Sequence, residues 1–320
     1  MFAVQTMCLL LLAVAGDDVA KKPVANSKPV KDWVADLESP SRDVMIAALD
    51  ALVSLGPKAK EGVPDLIKVI ERDGNPARLA AIEVIGHIGP DAGKAIPILT
   101  KVLAHEDFHT QYFSVRALAK IGPESKVALP EIQRLLQSGV ASARKNAATA
   151  LGDLGPVIGE DGIRALVAAL GDKVFTVREQ AALALGKLGE HARESLPELR
   201  ELAQKHSLST RVAAAHAVWD ISRDIDFVLP ILIEETEATN HQLDALRALA
   251  DIGPAAKGAV PRLVPLLRHA DAEVQMLAAD VLGAIGPDAK AARAELKGLL
   301  DHEEKDVRES AAAALKAIGN

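Results

Sequence analysis

The stretch Val177–Pro197, VREQAALALGKLGEHARESLP, decides how this chain folds. Up to Leu188 its apolar residues recur at helical spacing, which gathers them on one side of an α-helix. Gly189 stands where a left-handed residue would end that helix. Leu196-Pro197 opens a second run, and proline fits there because the first turn of a helix has no use for its missing N–H. The stretch therefore reads as helix, stop, short link, helix. Nearly the same phrase returns as VIGHIGPDAGKAIP (Val84–Pro97), ALAKIGPESKVALP (Ala117–Pro130), ALADIGPAAKGAVP (Ala248–Pro261) and VLGAIGPDAKAARA (Val281–Ala294).

The closing glycines set the period. They fall at Gly56, Gly89, Gly122, Gly155 and Gly189, then at Gly253, Gly286 and Gly319, in steps of 33 or 34 with one step of 64. The long step is two units with one divergent closing position near Ser222, so the chain holds about nine units. Proline follows six of the glycines, at Pro57, Pro90, Pro123, Pro156, Pro254 and Pro287. Six first helices open on an apolar residue and proline: Val63-Pro64, Ile96-Pro97, Leu129-Pro130, Leu196-Pro197, Leu229-Pro230 and Val260-Pro261.

One helical hairpin cannot bury two apolar sides by itself, whereas a stack of hairpins can. Eight and seven residues before the closing glycine stand pairs such as Ala48-Leu49, Ala81-Ile82, Ala181-Ala182 and Ala278-Ala279. Alanine there lets helices approach toward the short end of the usual ~8–10 Å range, and nine units at that spacing predict an arc on the order of 80 Å long. The second helices would line one face. The fold class expected is all-α, an α/α superhelix of about nine hairpins spanning residues 32–320.

The phrase V-R-x-x-A-A-x-A-L-G-x-[IL]-G-P resembles the HEAT repeats, in particular the HEAT-like class first described in phycobilisome lyases, from about Trp33 to Gly319. The resemblance implies a right-handed superhelix of paired helices whose inner surface docks other proteins. It implies a scaffold, since few members of the family are enzymes.

Composition removes several alternatives. The net charge of −7 disfavours a sequence-independent hold on nucleic acid, which depends on clustered Lys and Arg. The one cysteine, Cys8, lies in an apolar N-terminal run, so the repeat region has no thiol for a disulfide, a thiolate ligand or a nucleophile. Residues 1–15 carry no charge and end in Ala13-Val14-Ala15, which fits a signal peptide and an exported, periplasmic or secreted protein. No basic residue precedes that run, which leaves a mistaken or accessory start as the other reading. The run is too short for a membrane span, which needs about 20 apolar residues. Residues 16–31, with Pro23 and Pro29, read as a flexible linker.

Candidate chemistry is sparse. His105-Glu106-Asp107 and His302-Glu303-Glu304 lie in turns between helices, six units apart. In HEAT-repeat hydroxylases of the deoxyhypusine type the iron-binding His-Glu pairs begin the second helix, where this chain has Glu179-Gln180 and Glu309-Ser310. Ligands so far apart cannot converge on one ion, so no metal, no cofactor and no catalytic residue is expected. No phosphate-binding glycine loop, nucleophile elbow or H-E-x-x-H helix is present. Arginines eleven residues before the closing glycine, Arg78, Arg144, Arg178, Arg211 and Arg308, are read as structural. They would pair with turn acids such as Asp172 or Asp306, or with carbonyls of an adjacent unit.

Positions ten, nine, six and two before each closing glycine should project away from the alanine seam. Tyr112, Phe113 and Arg116 gather there in the third unit, and His216, Trp219 and Arg247 in the sixth and seventh. Aromatics and arginine are enriched at binding hot spots, and this chain has one Tyr, two Trp and five Phe in all. Phe113 and Trp219 could instead fill gaps where Ser114 and Ser222 break the small-residue pattern. The expected function is a non-catalytic scaffold for a protein segment along the concave face. The alternative is an accessory subunit of a lyase or hydroxylase that holds a small cofactor. Charged residues of the last unit, Asp301, Glu303, Glu304, Lys305 and Asp306, would cap the stack and keep the protein a monomer.

Overall fold

A computed structural model describes residues 28–104, 107–205, 210–238 and 241–319. The signal peptide read at 1–15 and most of the linker read at 16–31 lie outside the described residues. The chain divides into two compact units, one ending at Ala169 and one beginning at Leu170. Among the described residues every regular element is helical.

The first unit holds four successive hairpins: α1 (Val30–Asp36) with α2 (Arg42–Leu55), α3 (Val63–Glu71) with α4 (Arg78–Ile88), α5 (Ile96–Val102) with α6 (Phe108–Ile121), and α7 (Leu129–Leu135) with α8 (Ala141–Leu154). α9 (Gly159–Ala169) packs on α7 and α8. α1 starts at Val30, inside the last residues of the stretch expected to be linker. The second unit opens with α10 (Phe175–Leu188). It continues as α11 (Leu196–Gln204) with α12 (Arg211–Ser222), α13 (Ile225–Glu235) with α14 (Gln242–Ile252), α15 (Val260–Leu266) with α16 (Ala272–Ile285), and α17 (Arg293–Gly298) with α18 (Lys305–Ile318). The repeat pattern is that of an all-α, α/α superhelix, and the unit boundary falls inside the fifth repeat, between α9 and α10.

Within each unit the second helices stack on one another, and small residues set how closely. Ala81, Ala148, Ala182, Ala215 and Ala279 have no exposed surface. A Cβ on Gly86 of α4 would come within 3.3 Å of the Ala117 Cα in α6, and one on Gly283 of α16 within 3.0 Å of the Ala314 Cα in α18. The expected alanine seam is thus extended by a glycine column three residues before the closing position.

The closing glycine is more demanding than a left-handed cap. Gly189 has φ +55° and ψ −133°, a backbone region close to one that glycine alone enters readily. That geometry turns the chain into a short 3-10 segment, such as Gly56–Gly62 or Gly253–Ala259, which leads to the next first helix. The sixth repeat departs from this. Its helix runs on through Ser222, and Arg223 takes a true left-handed conformation at φ 58°, ψ 24°, with its amide 2.8 Å from the Trp219 carbonyl. The 3-10 segment is missing there. α13 begins at once on Ile225, capped by Asp224, whose carboxylate accepts the Phe227 amide at 3.2 Å. Pro230 therefore sits inside α13 and not in its first turn as expected, at the cost of one helical hydrogen bond.

The arginine column is structural, through carbonyls of its own hairpin rather than an adjacent one. Arg144, Arg178 and Arg308 donate to the carbonyls of Ser138, Asp172 and His302, each six residues upstream. Arg78 reaches the Ile70 and Arg72 carbonyls and the Asp73 carboxylate, and Arg211 the Ala203 carbonyl. Glutamine fills the column in other repeats: Gln111, Gln242 and Gln275 donate to Leu103, Thr236 and His269. Each side chain satisfies a carbonyl that the end of the first helix leaves open.

Candidate binding surface

In the second unit the stacked helices α10, α12 and α14 enclose a cleft of about 150 Å³. Its lining repeats one register. Glu179 and Val212 stand ten residues before their closing positions, Ala213 and Asp244 nine, Leu183, His216 and Arg247 six, and Asp251 two. Leu183, Val212, Ala213 and Ala248 supply an apolar floor, and the charged groups form the rim.

The cleft exists because the stack loosens there. Where Gly186 of α10 lies against Ala217 of α12, with a Cβ 3.2 Å from the Ala217 Cα, the same column in α12 holds Trp219. By that register Trp219 faces Ala248 of α14. α12 and α14 touch over a shorter stretch than the other neighbouring second helices of this unit. An indole cannot occupy the space of a glycine, so this column cannot close on α14 as it closes on α12 at Gly186.

The rim is an ionic network. Arg247 is 52% exposed and pairs with Asp244 at 3.2 Å and, on α16, with Glu273 at 2.8 Å. His216 Nε2 lies 3.8 Å from Asp251 and 4.0 Å from Asp220, beyond hydrogen-bond reach. Burial pushes the Asp220 carboxyl above its usual range; Asp251 acts in the same sense, against the pull of His216 and Arg223. Arg223 stands over the Trp219 ring at 5.1 Å and lies 3.9 Å from Asp220.

The six residues expected to form the surface separate into two kinds. Tyr112 and Arg116 are half-buried on α6, with the guanidinium 5.4 Å from the ring centroid. His216 is half-buried and Arg247 exposed, and both line the cleft. Phe113 is instead a core residue, 3% exposed, set edge-on to Tyr112 with centroids 5.4 Å apart. It lies one turn from Ala117, which packs on Gly86 of α4, so Phe113 belongs to the stacking seam of its own unit, whereas Ala213 and Asp244 at the same position line the cleft of the second unit. Trp219 is buried as well, at 9% exposed, with the Arg223 guanidinium over its ring. The glutamine donors and the Asp244–Arg247–Glu273 series were not singled out from the sequence; both follow from the repeat columns once these are aligned.

Of the histidine-acid turns, His105-Glu106 lies outside the described residues. Asp107 caps α6, taking the His109 and Thr110 amides at 3.3 and 3.0 Å. His302 caps its own turn, its Nδ1 accepting the Glu304 amide at 3.1 Å. Among the described residues no three His, Cys, Asp or Glu side chains are grouped to hold a metal ion, and no helix is long and apolar enough to cross a membrane.

Comparison with known proteins agrees with the repeat. No curated protein matches the sequence. Among solved structures the chain is similar to Kap121p, at 15% identity over 98% of this chain and 43% of that one with a TM-score of 0.57. Kap121p bound to Pho4p gives 0.58 at the same identity and coverage. A homology model of the AP-3 complex gives 0.62 at 16% identity, over 85% of this chain and 54% of that one. The chain thus spans about half of these helical solenoids, and the likeness is one of fold. The family model described as HEAT repeats matches residues 63–151, 129–219 and 225–316. Its matches cover well over half of the sequence, and the chain belongs to the HEAT-repeat family.

Proposed function

We infer that the protein is a non-catalytic scaffold that binds a protein segment along the surface of its second helices. The observation that supports this most directly is the cleft of the second unit, where side chains from three successive repeats, at matching register, meet on one face. A helical stack presents such a surface in extended form, suited to a partner chain more than to a reacting small molecule. The columns that look chemical in the sequence, the arginines and the turn histidines, are occupied with turn carbonyls and caps. The similar Kap121p has been crystallised with a protein, Pho4p.

The remaining parts of the proposal rest on the sequence. The net charge of −7 favours a protein over nucleic acid as partner. The apolar stretch at residues 1–15 favours export.

The test is capture of a partner from the envelope fraction of the source cell. The wild type is compared with a Tyr112→Ala, Arg116→Ala, His216→Ala, Arg247→Ala variant whose helicity is checked by circular dichroism. A specific protein held by the wild type and lost by the folded variant supports the scaffold. Pigment or iron carried by the purified protein, with no protein partner, would replace it with a cofactor-holding accessory subunit.

A further inference from the structure

In the first unit, the columns six and two residues before the stop of α6 hold two cations, Arg116 and Lys120, one turn apart on one face. Among the described residues no carboxylate lies within ion-pair distance of either. The acids at the same columns of the neighbouring helices are engaged otherwise: Glu83 on α4 lies 3.5 Å from His87, and Asp153 on α8 interacts with neither cation. This is unlike the arginines around them. Arg72, Arg78, Arg134 and Arg164 of the same unit each hold a carboxylate, and Arg247, at the column of Arg116 in the second unit, holds two.

Both cations are placed by neutral groups. The Arg116 guanidinium stands over the Tyr112 ring at 5.4 Å, which orients a planar cation without supplying a counter-charge. The Lys120 ammonium lies 3.4 Å from Nε2 of His87, whose Nδ1 is 3.0 Å from the Glu83 carbonyl. A neutral ring that donates its Nδ1–H to a carbonyl keeps its lone pair on Nε2, so this imidazole accepts from the ammonium and cancels none of its charge. Arg116 is half-buried and Lys120 exposed. The two stand about 6 Å apart along the helix axis. Residues i and i+2 of an extended chain point to one side at nearly the same spacing, about 6.6 Å.

We propose that this face of α6 binds an extended acidic stretch of the partner protein, with two carboxylates two residues apart. The Arg116 guanidinium takes one carboxylate through parallel N–H bonds, and the Lys120 ammonium takes the other. This deepens the scaffold function proposed above and rests on it. Side chains held in place before the partner arrives lose less freedom on binding, which is what the ring of Tyr112 and the imidazole of His87 contribute. A protein segment fits better than nucleic acid: the chain carries a net charge of −7 and offers two cations here, whereas a phosphate backbone is held through many.

The experiment needs no partner, because Tyr112 is the one tyrosine of the chain and a fluorotyrosine label reports on this face alone. The labelled full chain is titrated at low salt, by fluorine NMR, with a capped alanine pentapeptide bearing glutamate at its second and fourth positions. Analogues with glutamine or lysine there, and a thymidine trinucleotide of the same charge, follow. A saturable shift with the glutamate peptide is expected, and none with the glutamine or lysine peptide. An Arg116→Gln, Lys120→Gln variant should bind roughly fivefold more weakly, as for the loss of exposed ion pairs. A Lys58→Gln, Lys126→Gln variant, which removes the same charge from exposed links, should bind like the wild type. Circular dichroism checks each fold, and if the first variant unfolds, a weaker affinity in Lys120→Gln alone decides. No saturable shift, an equal shift with the glutamine peptide, an unchanged affinity in the first variant or an equal loss in the second would each overturn the proposal. Tighter binding of the trinucleotide would replace the acidic segment with nucleic acid. A captured partner with a silent label would leave the scaffold standing and remove the carboxylate site. A responsive label with no partner would do the reverse.

Discussion

Arg211 on α12 places its guanidinium 2.6 Å from Glu235 on α13, with the two side chains only 5% and 8% exposed. Its second arm lies 2.6 Å from Glu234, which is 55% exposed, and its Nε donates to the Ala203 carbonyl at 3.0 Å. One charge removed from such a buried pair leaves the other uncompensated. Arg211→Met should therefore cost roughly 3–5 kcal/mol of unfolding free energy, while Glu234→Gln, at the exposed arm, should cost less than about 1 kcal/mol. Replacing Arg211 and Glu235 together by methionine should recover most of the loss, since an apolar pair avoids the desolvation penalty. Urea denaturation of the three variants checks the order.

The two ways of ending a second helix predict opposite responses at equivalent places. Gly189, at φ +55° and ψ −133°, occupies backbone that a Cβ opposes, so Gly189→Ala should destabilise by roughly 1–3 kcal/mol. Arg223 is in the left-handed region, which costs an L-residue about 1–2 kcal/mol. Arg223→Gly should thus cost little, the relief offsetting the lost stacking on Trp219. Thermal unfolding of the two variants side by side distinguishes a glycine requirement from a turn that any residue can make.

Asp220 should make the fold less stable as pH rises through the carboxylate range. Its folded-state pKa is raised by burial, so in that range the native state binds more protons than the unfolded chain, and stability falls with increasing pH. Asp220→Asn should abolish this slope. Its melting temperature should exceed that of the wild type near neutrality, with the gap closing in acid below the unfolded value near ~3.9. A parallel pair of curves would show that the charge at Asp220 is fully compensated by His216 and Arg223.

Asp107 behaves in the opposite sense. Burial works against its charge, but the Thr110 hydroxyl and the Thr110 and His109 amides outweigh it and hold the carboxyl below the usual range. Its cap on α6 is present above the unfolded pKa near ~3.9 and is lost as pH falls through the lower folded value. Asp107→Ala should cost about 1 kcal/mol at neutral pH, and Asp107→Asn rather less. Unfolding at pH 7 and in acid checks both.

Repetition made much of this fold legible before any coordinates. The closing glycines gave the period, the alanine pairs gave the stacking seam, and the arginines gave a structural column, because equivalent positions in a stack share an environment. What escaped was what happens once. For Phe113 the pattern leaves a binding and a gap-filling role both open, and burial decides for the second: it stands four residues from Ala117 and shares that residue's packed side. The divergent stop expected near Ser222 is made by Arg223, directly after it. Trp219 has the same two readings in the sequence as Phe113, and it is buried at the column position that glycine holds in α10. The break between α9 and α10 has no signal in residue pattern, since both helices keep the repeat spacing.

The donor eleven residues before each stop closes its hydrogen bond inside its own hairpin in eight repeats, from Arg78 to Arg308. A hairpin wired in this way is a self-contained part. Such a hairpin can be copied or excised without leaving the carbonyl at the end of a neighbour's first helix open, the exposed pairs between hairpins, such as Arg247 with Glu273, being the cheaper loss. The sixth repeat has given up that freedom. With Arg211 tied to Glu234 and Glu235 in the hairpin that follows, the sixth and seventh repeats must be inherited together, and the cleft they share with α10 travels with them.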